Sequence, residues 1–316
     1  MARREIVVVG GGMAGLSAAL IARQIGHDVL LVDPLAGGGQ LVNIGRIENY
    51  PGLGEVRGFD LGPELAARVM DAGVEFELSQ VTRLARGADG IELALDSGRT
   101  LSAATVILAM GSTVRRAGIE GEEEFQGRGV SYCGVCDGPF FAGKTVVVAG
   151  GGDSAADEAA HLATLAARVV LVHPGRAMHA MAIARARIEA ARNVERVHES
   201  RVMRIIGGPD GVTAVVARHE GSGGERELAA DGAFLYAGLE PSTAFLRGAV
   251  ELDAAGHVIT DARLDTSVPG VMAAGDIRGG SARLLIAAAG DGASAAVRAS
   301  QWLAEGGRRA RERAGL

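Results

Sequence analysis

A chain of 316 residues, 48% of them apolar, can bury the cores of two ordinary domains without disulfide staples. Its 32 Lys and Arg against 38 Asp and Glu give a net charge of −6, the wrong balance for a general nucleic-acid binder. Glycine is abundant at 48 residues but has no collagen period, and no run reaches the roughly 18 apolar residues of a membrane span.

The chain opens MARREIVVVGGGMAGLSAALIARQIGHDVLLVDP. Two arginines and a short apolar run that breaks at once into glycines do not make a signal peptide, so a cytoplasmic location is expected. Ile6–Val9 reads as a strand buried on both faces. Gly10, Gly12 and Gly15 then fit G-x-G-x-x-G, and an amphipathic helix runs to about Gln24. A second apolar run, Val29–Val32, ends in Asp33, 18 residues after Gly15. Strand, glycine turn, helix, strand and acid together make a complete βαβ dinucleotide fingerprint.

The pattern returns in KTVVVAGGGDSAADEAAHLATLAARVVLVHPGR. Here the expected strand is Thr145–Ala149, the turn Gly150, Gly152 and Ala155, the helix extends to about Ala166, and the next strand is Val169–Val172. Two units about 140 residues apart imply two bound nucleotides, one per domain. The alternative is a duplicated domain with one copy only structural. Near the end, TSVPGVMAAGDIRGGSARLL reads as a strand, then Gly275-Asp276, then a loop before a helix from about Arg283 to Ala304. GSGGE at 221–225 reads as a hairpin turn. The expected fold class is α/β, with two Rossmann-like, three-layer nucleotide-binding domains, the second inserted into the first. The expected boundaries are 1–113 with 246–316 for the outer domain and 114–245 for the inserted one.

Both cysteines of the chain fall in Tyr132-Cys133-Gly134-Val135-Cys136-Asp137-Gly138. A structural zinc site needs four ligands and no second pair is present, so no metal is expected. In a reducing compartment a lone CxxC reads as a redox-active dithiol. The plainer alternative is two buried apolar cysteines.

With these motifs stand GGQL (Gly38–Leu41), IENYPG (Ile47–Gly52), ILAMGS (Ile107–Ser112) and AAGDI ahead of the last helix. In that order they resemble the low-molecular-weight thioredoxin reductases over nearly the whole chain. CxxC-Asp-Gly ahead of the second glycine turn is the most specific part. The resemblance implies a homodimeric flavoprotein whose outer domain holds FAD, and whose inserted domain holds NADPH and the redox cysteines. The two domains would rotate so that the flavin meets dithiol and nicotinamide in turn. The substrate would be a thioredoxin-like protein or a small dithiol or disulfide, with no nucleic-acid or membrane partner.

Carried onto this chain, the FAD contacts are Gly10, Gly12, Met13, Ala14, Gly15, Asp33, Gly39, Gln40, Leu41, Asn49, Ala109, Gly111, Gly275, Asp276, Arg283, Leu284 and Leu285. Gly10 makes the tight turn, Gly12 admits the pyrophosphate, and Gly15 lets the helix pack closely. Asp33 accepts the ribose hydroxyls, and Asp276 bonds the flavin's sugar-alcohol chain. The pyridine-nucleotide contacts are Gly150, Gly152, Asp153, Ser154, Ala155 and Arg176. By the same resemblance Cys136 faces the flavin, Cys133 attacks the substrate disulfide, and Asp137 shuttles a proton to the departing thiolate. None of the seven histidines is expected near such a motif.

The chain departs from the family at three places. Where the family usually has His-Arg-Arg and a further Arg to hold a 2′-phosphate, this chain reads His173-Pro174-Gly175-Arg176-Ala177-Met178-His179. Arg176, with Arg185 and Arg187, remains as a candidate phosphate ligand; the alternative for Arg176 is a solvated surface arginine. No acid replaces the lost arginines, so neither NADPH nor NADH is selected. Leu284 stands for a Gln that borders the flavin. Pro139-Phe140-Phe141 follows the cysteines, and its two aromatics are either docking or core residues. Three readings compete: an NAD(P)H-dependent disulfide reductase, an NADPH-independent relative using ferredoxin or oxygen, and a non-enzymatic flavin redox sensor.

Overall fold

In the computed structural model, which describes residues 3–35, 37–87 and 90–314, strand β1 (Arg4–Val9) sends alternate side chains into two cores. Ile6 and Val8 join one apolar cluster and Val7 and Val9 the other, as a period of two requires for a strand covered on both faces. Helix α1 (Met13–Ile25) follows and stops at Gly26, whose left-handed φ of 111° lets its N–H close onto the Ala22 and Arg23 carbonyls. Next come β2 (Val29–Asp33), α2 (Gly58–Asp71), β3 (Glu75–Leu78), β4 (Val81–Arg86), β5 (Ile91–Leu95) and β6 (Thr100–Leu108). The sheet order is β3-β2-β1-β6-β5-β4. Its β3-β2-β1-β6 part is parallel, and β4, β5 and β6 form an antiparallel meander.

Through β7 (Ser112–Val114) the chain enters a second compact unit, residues 114–239, and it leaves through β16 (Leu239–Pro241). The return falls at 239–240, ahead of the expected 246. In chain order this unit holds β8 (Val130–Ser131), α3 (Gly134–Asp137), β9 (Thr145–Ala149), α4 (Asp153–Leu162), β10 (Arg168–Val172), α5 (Ala182–Ala190) and β11 (Val194–Val197). Then come β12 (Ser200–Gly208), β13 (Gly211–His219), β14 (Glu225–Ala229) and β15 (Gly232–Leu235). Its parallel sheet runs β11-β10-β9-β15-β8, and β12-β13-β14 form a separate antiparallel sheet whose last turn holds the 221–225 glycines.

Helix α4 stops at Leu162 rather than at the expected Ala166. The Asn193 amide donates to the carbonyls of Ala163 and Ala166 at 2.9 and 3.0 Å, which removes the need for another helical turn to pair them. Back in the first unit, residues 240–316, β17 (Val271–Ala273) pairs in parallel with β6. Helix α6 (Leu285–Ala314) starts after the expected Arg283, which sits at a left-handed φ of 54° and cannot be its first residue. It packs on α1: a Cβ at Gly292 would collide with the Ala14 carbonyl.

Candidate active site

Cys133 and Cys136 form a disulfide. Cys133 is the N-cap of α3, and its Sγ accepts the Cys136 N–H at 3.1 Å. An amide placed there favours a thiolate once the bond opens. Asp137 sits in the same turn, where the Ser131 hydroxyl donates to its Oδ2 at 2.6 Å. Ser131 Oγ also accepts the Cys133 N–H at 3.1 Å, so one serine orients both the acid and the cysteine. Tyr132 is pinned from below: its hydroxyl donates to Glu122 Oε1 at 2.8 Å and accepts from Arg116. Phe141 is buried and meets Phe234 edge-on at 5.2 Å, which makes it a core residue. Phe140 is 73% exposed.

Two titratable groups of α4 lie against this turn, and the sequence did not announce either. A Cβ at Gly134 would overlap Glu158 Oε2, an atom that is buried with no donor at hydrogen-bond geometry. Burial pushes the Glu158 carboxyl up to about 7 against the opposing pull of the Tyr236 hydroxyl and the Gly134 N–H. Tyr236 Oη accepts the Gly134 N–H at 3.2 Å, and burial holds its phenol well above the usual range. His161 Nε2 would stand 3.9 Å from a Cβ at Gly138, which corrects the expectation that no histidine lies near the motif. Burial lowers its pKa.

In the first unit the flavin candidates converge on the start of α1. Gly10 has φ 102°, and a Cβ there would lie 2.5 Å from the Ala109 carbonyl oxygen. A Cβ at Gly15 would strike the Gly10 carbonyl, so the helix packs on its own turn. At Gly12 a Cβ would meet nothing within 4 Å, and no side chain caps the helix. An open glycine before uncapped N–H groups fits a pyrophosphate. Gly39 and Gly275 come close from either side: a Cβ at Gly39 would lie 2.9 Å from Gly12 Cα, and one at Gly275 2.8 Å from Ala14 Cβ. Leu41, buried, shares an apolar cluster with Met13 and Leu285.

Asp33 accepts the Gly11 and Leu35 N–H groups at 2.6 and 2.8 Å, one on each carboxylate oxygen, while burial raises its pKa. Each oxygen keeps a lone pair for a ribose hydroxyl. Gln40 donates to the Ser112 carbonyl at 3.0 Å, and Asp276 accepts from Ser281 at 2.7 Å. Asn49 and Arg283 are exposed, Leu284 and Gly111 half-buried. The sequence reading missed Asp291, whose carboxylate pairs with Arg278 at 2.6 Å and accepts the Gly275 N–H at 3.1 Å, fixing the Gly275-Asp276 turn.

The second glycine turn has the same form. Gly150 has φ 147°, a Cβ at Gly152 would meet nothing within 4 Å, and α4 has no side-chain cap. Ala155 is buried behind the turn, Ser154 is exposed, and Asp153 Oδ1 accepts the Met181 N–H at 2.6 Å. The His179 N–H donates to the Gly151 carbonyl at 2.8 Å, bringing the 173–179 loop back beside the turn. Arg176 is 90% exposed and pairs with Glu199 at 3.0 Å. His173 is buried edge-on to His198, at 4.7 Å, with neither ring nitrogen hydrogen-bonded, and burial lowers its pKa.

The sequence profile of the pyridine nucleotide-disulphide oxidoreductases matches residues 4–292. Thioredoxin reductase of Listeria innocua is 36% identical over 302 residues, covering 95% of this chain and 94% of the relative. The chain belongs to the low-molecular-weight thioredoxin reductase family. The Treponema pallidum thioredoxin reductase is 37% identical over 304 residues, with 95% and 97% of the two chains covered. The crystal structure of Lactococcus lactis thioredoxin reductase superposes with a TM-score of 0.93 at 34% identity, over 96% of this chain and all of that one. Membership in this family makes the protein an FAD-dependent oxidoreductase with two Rossmann-like domains. Among the described residues no helix is long and apolar enough to cross a membrane.

Proposed function

We propose that the protein passes electrons from a nicotinamide dinucleotide, through FAD and the Cys133–Cys136 pair, to the disulfide of a thioredoxin-like protein. The carrying observation is the disulfide at the N-cap of α3, with Asp137 held by Ser131, in the same compact unit as the open turn at Gly152. In this reading residues 1–113 and 240–316 hold FAD around Gly12, Gly39 and Gly275. Residues 114–239 hold NADPH or NADH on the Gly150–Ala155 turn. A homodimer in a reducing cytoplasm completes the proposal.

FAD, when bound, supplies two-electron transfer between the nicotinamide and the protein dithiol. The residues of the chain do the rest. The Cys133 thiolate attacks one sulfur of the substrate disulfide, forming a mixed disulfide and releasing one substrate thiolate. Asp137 hands that thiolate its proton. Cys136 then attacks Cys133 Sγ, re-forming the internal disulfide and releasing the second substrate sulfur. The side chain of Phe140 stands free beside the cysteines and supports docking of a protein substrate.

The test is anaerobic mixing of the yellow protein with excess NADPH and, separately, NADH. Bleaching of the flavin band by either is expected, and the faster one names the donor. Full bleaching by dithiothreitol with none by either nucleotide would remove the nicotinamide step and leave a ferredoxin- or oxygen-linked enzyme.

A further inference from the structure

A carboxyl oxygen buried without a hydrogen-bond donor is costly, and folded proteins rarely keep one without a use. Glu158 Oε2 has no partner at hydrogen-bond geometry, although the Tyr236 hydroxyl and the Gly134 and Val135 N–H groups lie near its carboxyl, and it lies where a Cβ of Gly134 would go. Gly134 is the first residue of α3, directly after the Cys133 N-cap. The carboxyl lies against the Gly134 and Val135 amides, in the same turn as the Cys136 N–H that faces Cys133 Sγ. Gly134 N–H goes to Tyr236 Oη at 3.2 Å and Cys136 N–H to Cys133 Sγ at 3.1 Å. A carboxylate and a thiolate in this small volume repel one another.

We propose that the Glu158 carboxyl takes up a proton when the Cys133–Cys136 disulfide is reduced, so that one sulfur stays a thiolate on the α3 turn. The inference rests on the redox role given to the cysteines above. One disulfide, one Glu158 carboxylate, an electron pair and two protons give one cysteine thiol, one cysteine thiolate and one Glu158 carboxylic acid. The electron pair comes from the reduced cofactor of the relay, or from a dithiol in the test tube. The protons come from solvent. Cys133 is the thiolate, because its Sγ already faces the Cys136 N–H. Glu158 acts through the sulfur and is a positioning residue.

The other charged and titratable groups around Glu158 do not supply this proton exchange. Tyr236, from the end of β15, keeps its proton through neutral pH because burial and the Glu158 charge raise it. Asp137, on α3 and bonded to Ser131, serves the substrate thiolate and is unchanged in Glu158→Gln, so it is common to both sides of the comparison. On α4 itself, burial favours the neutral ring of His161, and Asp157 pairs at 4.0 Å with Arg187 of α5. The Glu158 carboxyl, at about 7 in the disulfide form, is the group here poised to change charge near neutrality.

The experiment equilibrates the flavin-loaded protein, without oxygen, in dithiothreitol redox buffers between about pH 6 and 9, and counts free thiols by maleimide labelling. Above about pH 7 the midpoint potential of the wild-type disulfide is expected to fall with pH about twice as steeply as that of Glu158→Gln, because about two protons rather than one accompany each electron pair. Glu158→Asp should restore the steeper slope. Equal slopes in wild type and Glu158→Gln overturn the proposal. The wild-type protein gives a second test should that variant not fold. Its reduced-minus-oxidised infrared spectrum at about pH 8 should gain a protonated-carboxyl band, and absence of that band overturns the proposal. Neither measurement uses nicotinamide, so failure of the donor reading leaves both intact. Thiols that never appear in dithiothreitol would instead reject the redox reading itself.

Discussion

Gly134 and Glu158 compete for one small volume: a Cβ on Gly134 would overlap Glu158 Oε2. The absence of a side chain at 134 is what lets the carboxyl sit beneath the redox turn. Gly134→Ala should destabilise the protein by about 1–3 kcal/mol, the usual range for overpacking a filled site. Adding Glu158→Ala vacates the space, so the double variant should lose less than the sum of the singles by about 1 kcal/mol or more. Urea unfolding of the four proteins measures this, and strict additivity would separate the two residues.

The same carboxyl gives stability a pH dependence. Glu158 ionises near 4.5 when unfolded and near 7 in the oxidised fold. The folded state thus binds more protons in that interval, and stability falls as pH rises from 4.5 through 7. The difference amounts to about 3 kcal/mol above pH 7 and vanishes below 4.5. Glu158→Gln is therefore expected to be more stable than the parent by up to about 3 kcal/mol at pH 8 and no more stable at pH 4. Unfolding curves at the two pH values decide, and a gain at acid pH would contradict the assignment.

Gly12 and Gly15 belong to one motif but should fail differently. A Cβ at Gly12 points into space free of protein atoms, whereas one at Gly15 strikes the Gly10 carbonyl. Gly12→Val should keep its circular dichroism and lose flavin affinity by roughly tenfold or more, through displacement of the pyrophosphate. Gly15→Val should lose folded protein. Flavin content per folded chain separates the two outcomes, and a Gly12→Val protein with full flavin would move the cofactor elsewhere.

What could be read in advance was local. The strand at Ile6–Val9 announces itself by its apolar run, the CxxC pair by its spacing, and the turn glycines because a positive φ or a close backbone approach leaves only glycine. Glu158 was not legible, since its meaning depends on a turn reached only through the tertiary fold. A faint signal existed: Ala155, Ala156, Ala159 and Leu162 form the buried stripe of α4, and Glu158 borders it. The early end of α4 was hidden for the same reason, as the Asn193 amide that replaces its last turn comes from beyond β10. Arg176 read in sequence as either a phosphate ligand or a solvated surface arginine, and in the fold it is exposed and paired with Glu199.

Phe140 offers a way to separate docking from chemistry. Its side chain is 73% exposed while its neighbour Phe141 is in the core. Phe140→Ala should raise KM for a thioredoxin-like protein by about tenfold and leave kcat for a small disulfide unchanged. Parallel steady-state assays with the two substrates check it. Equal loss with both would place Phe140 in the structure of the turn rather than on a docking surface.

The account stands on electrons being held by both FAD and the Cys133–Cys136 pair. Anaerobic dithionite titration of the flavin-loaded protein counts them. The wild-type chain should take up about four electrons, two in the flavin and two in the disulfide, and Cys133→Ser about two with its flavin still bound. A wild-type chain that saturates at about two electrons, with its disulfide still closed, would contradict the account.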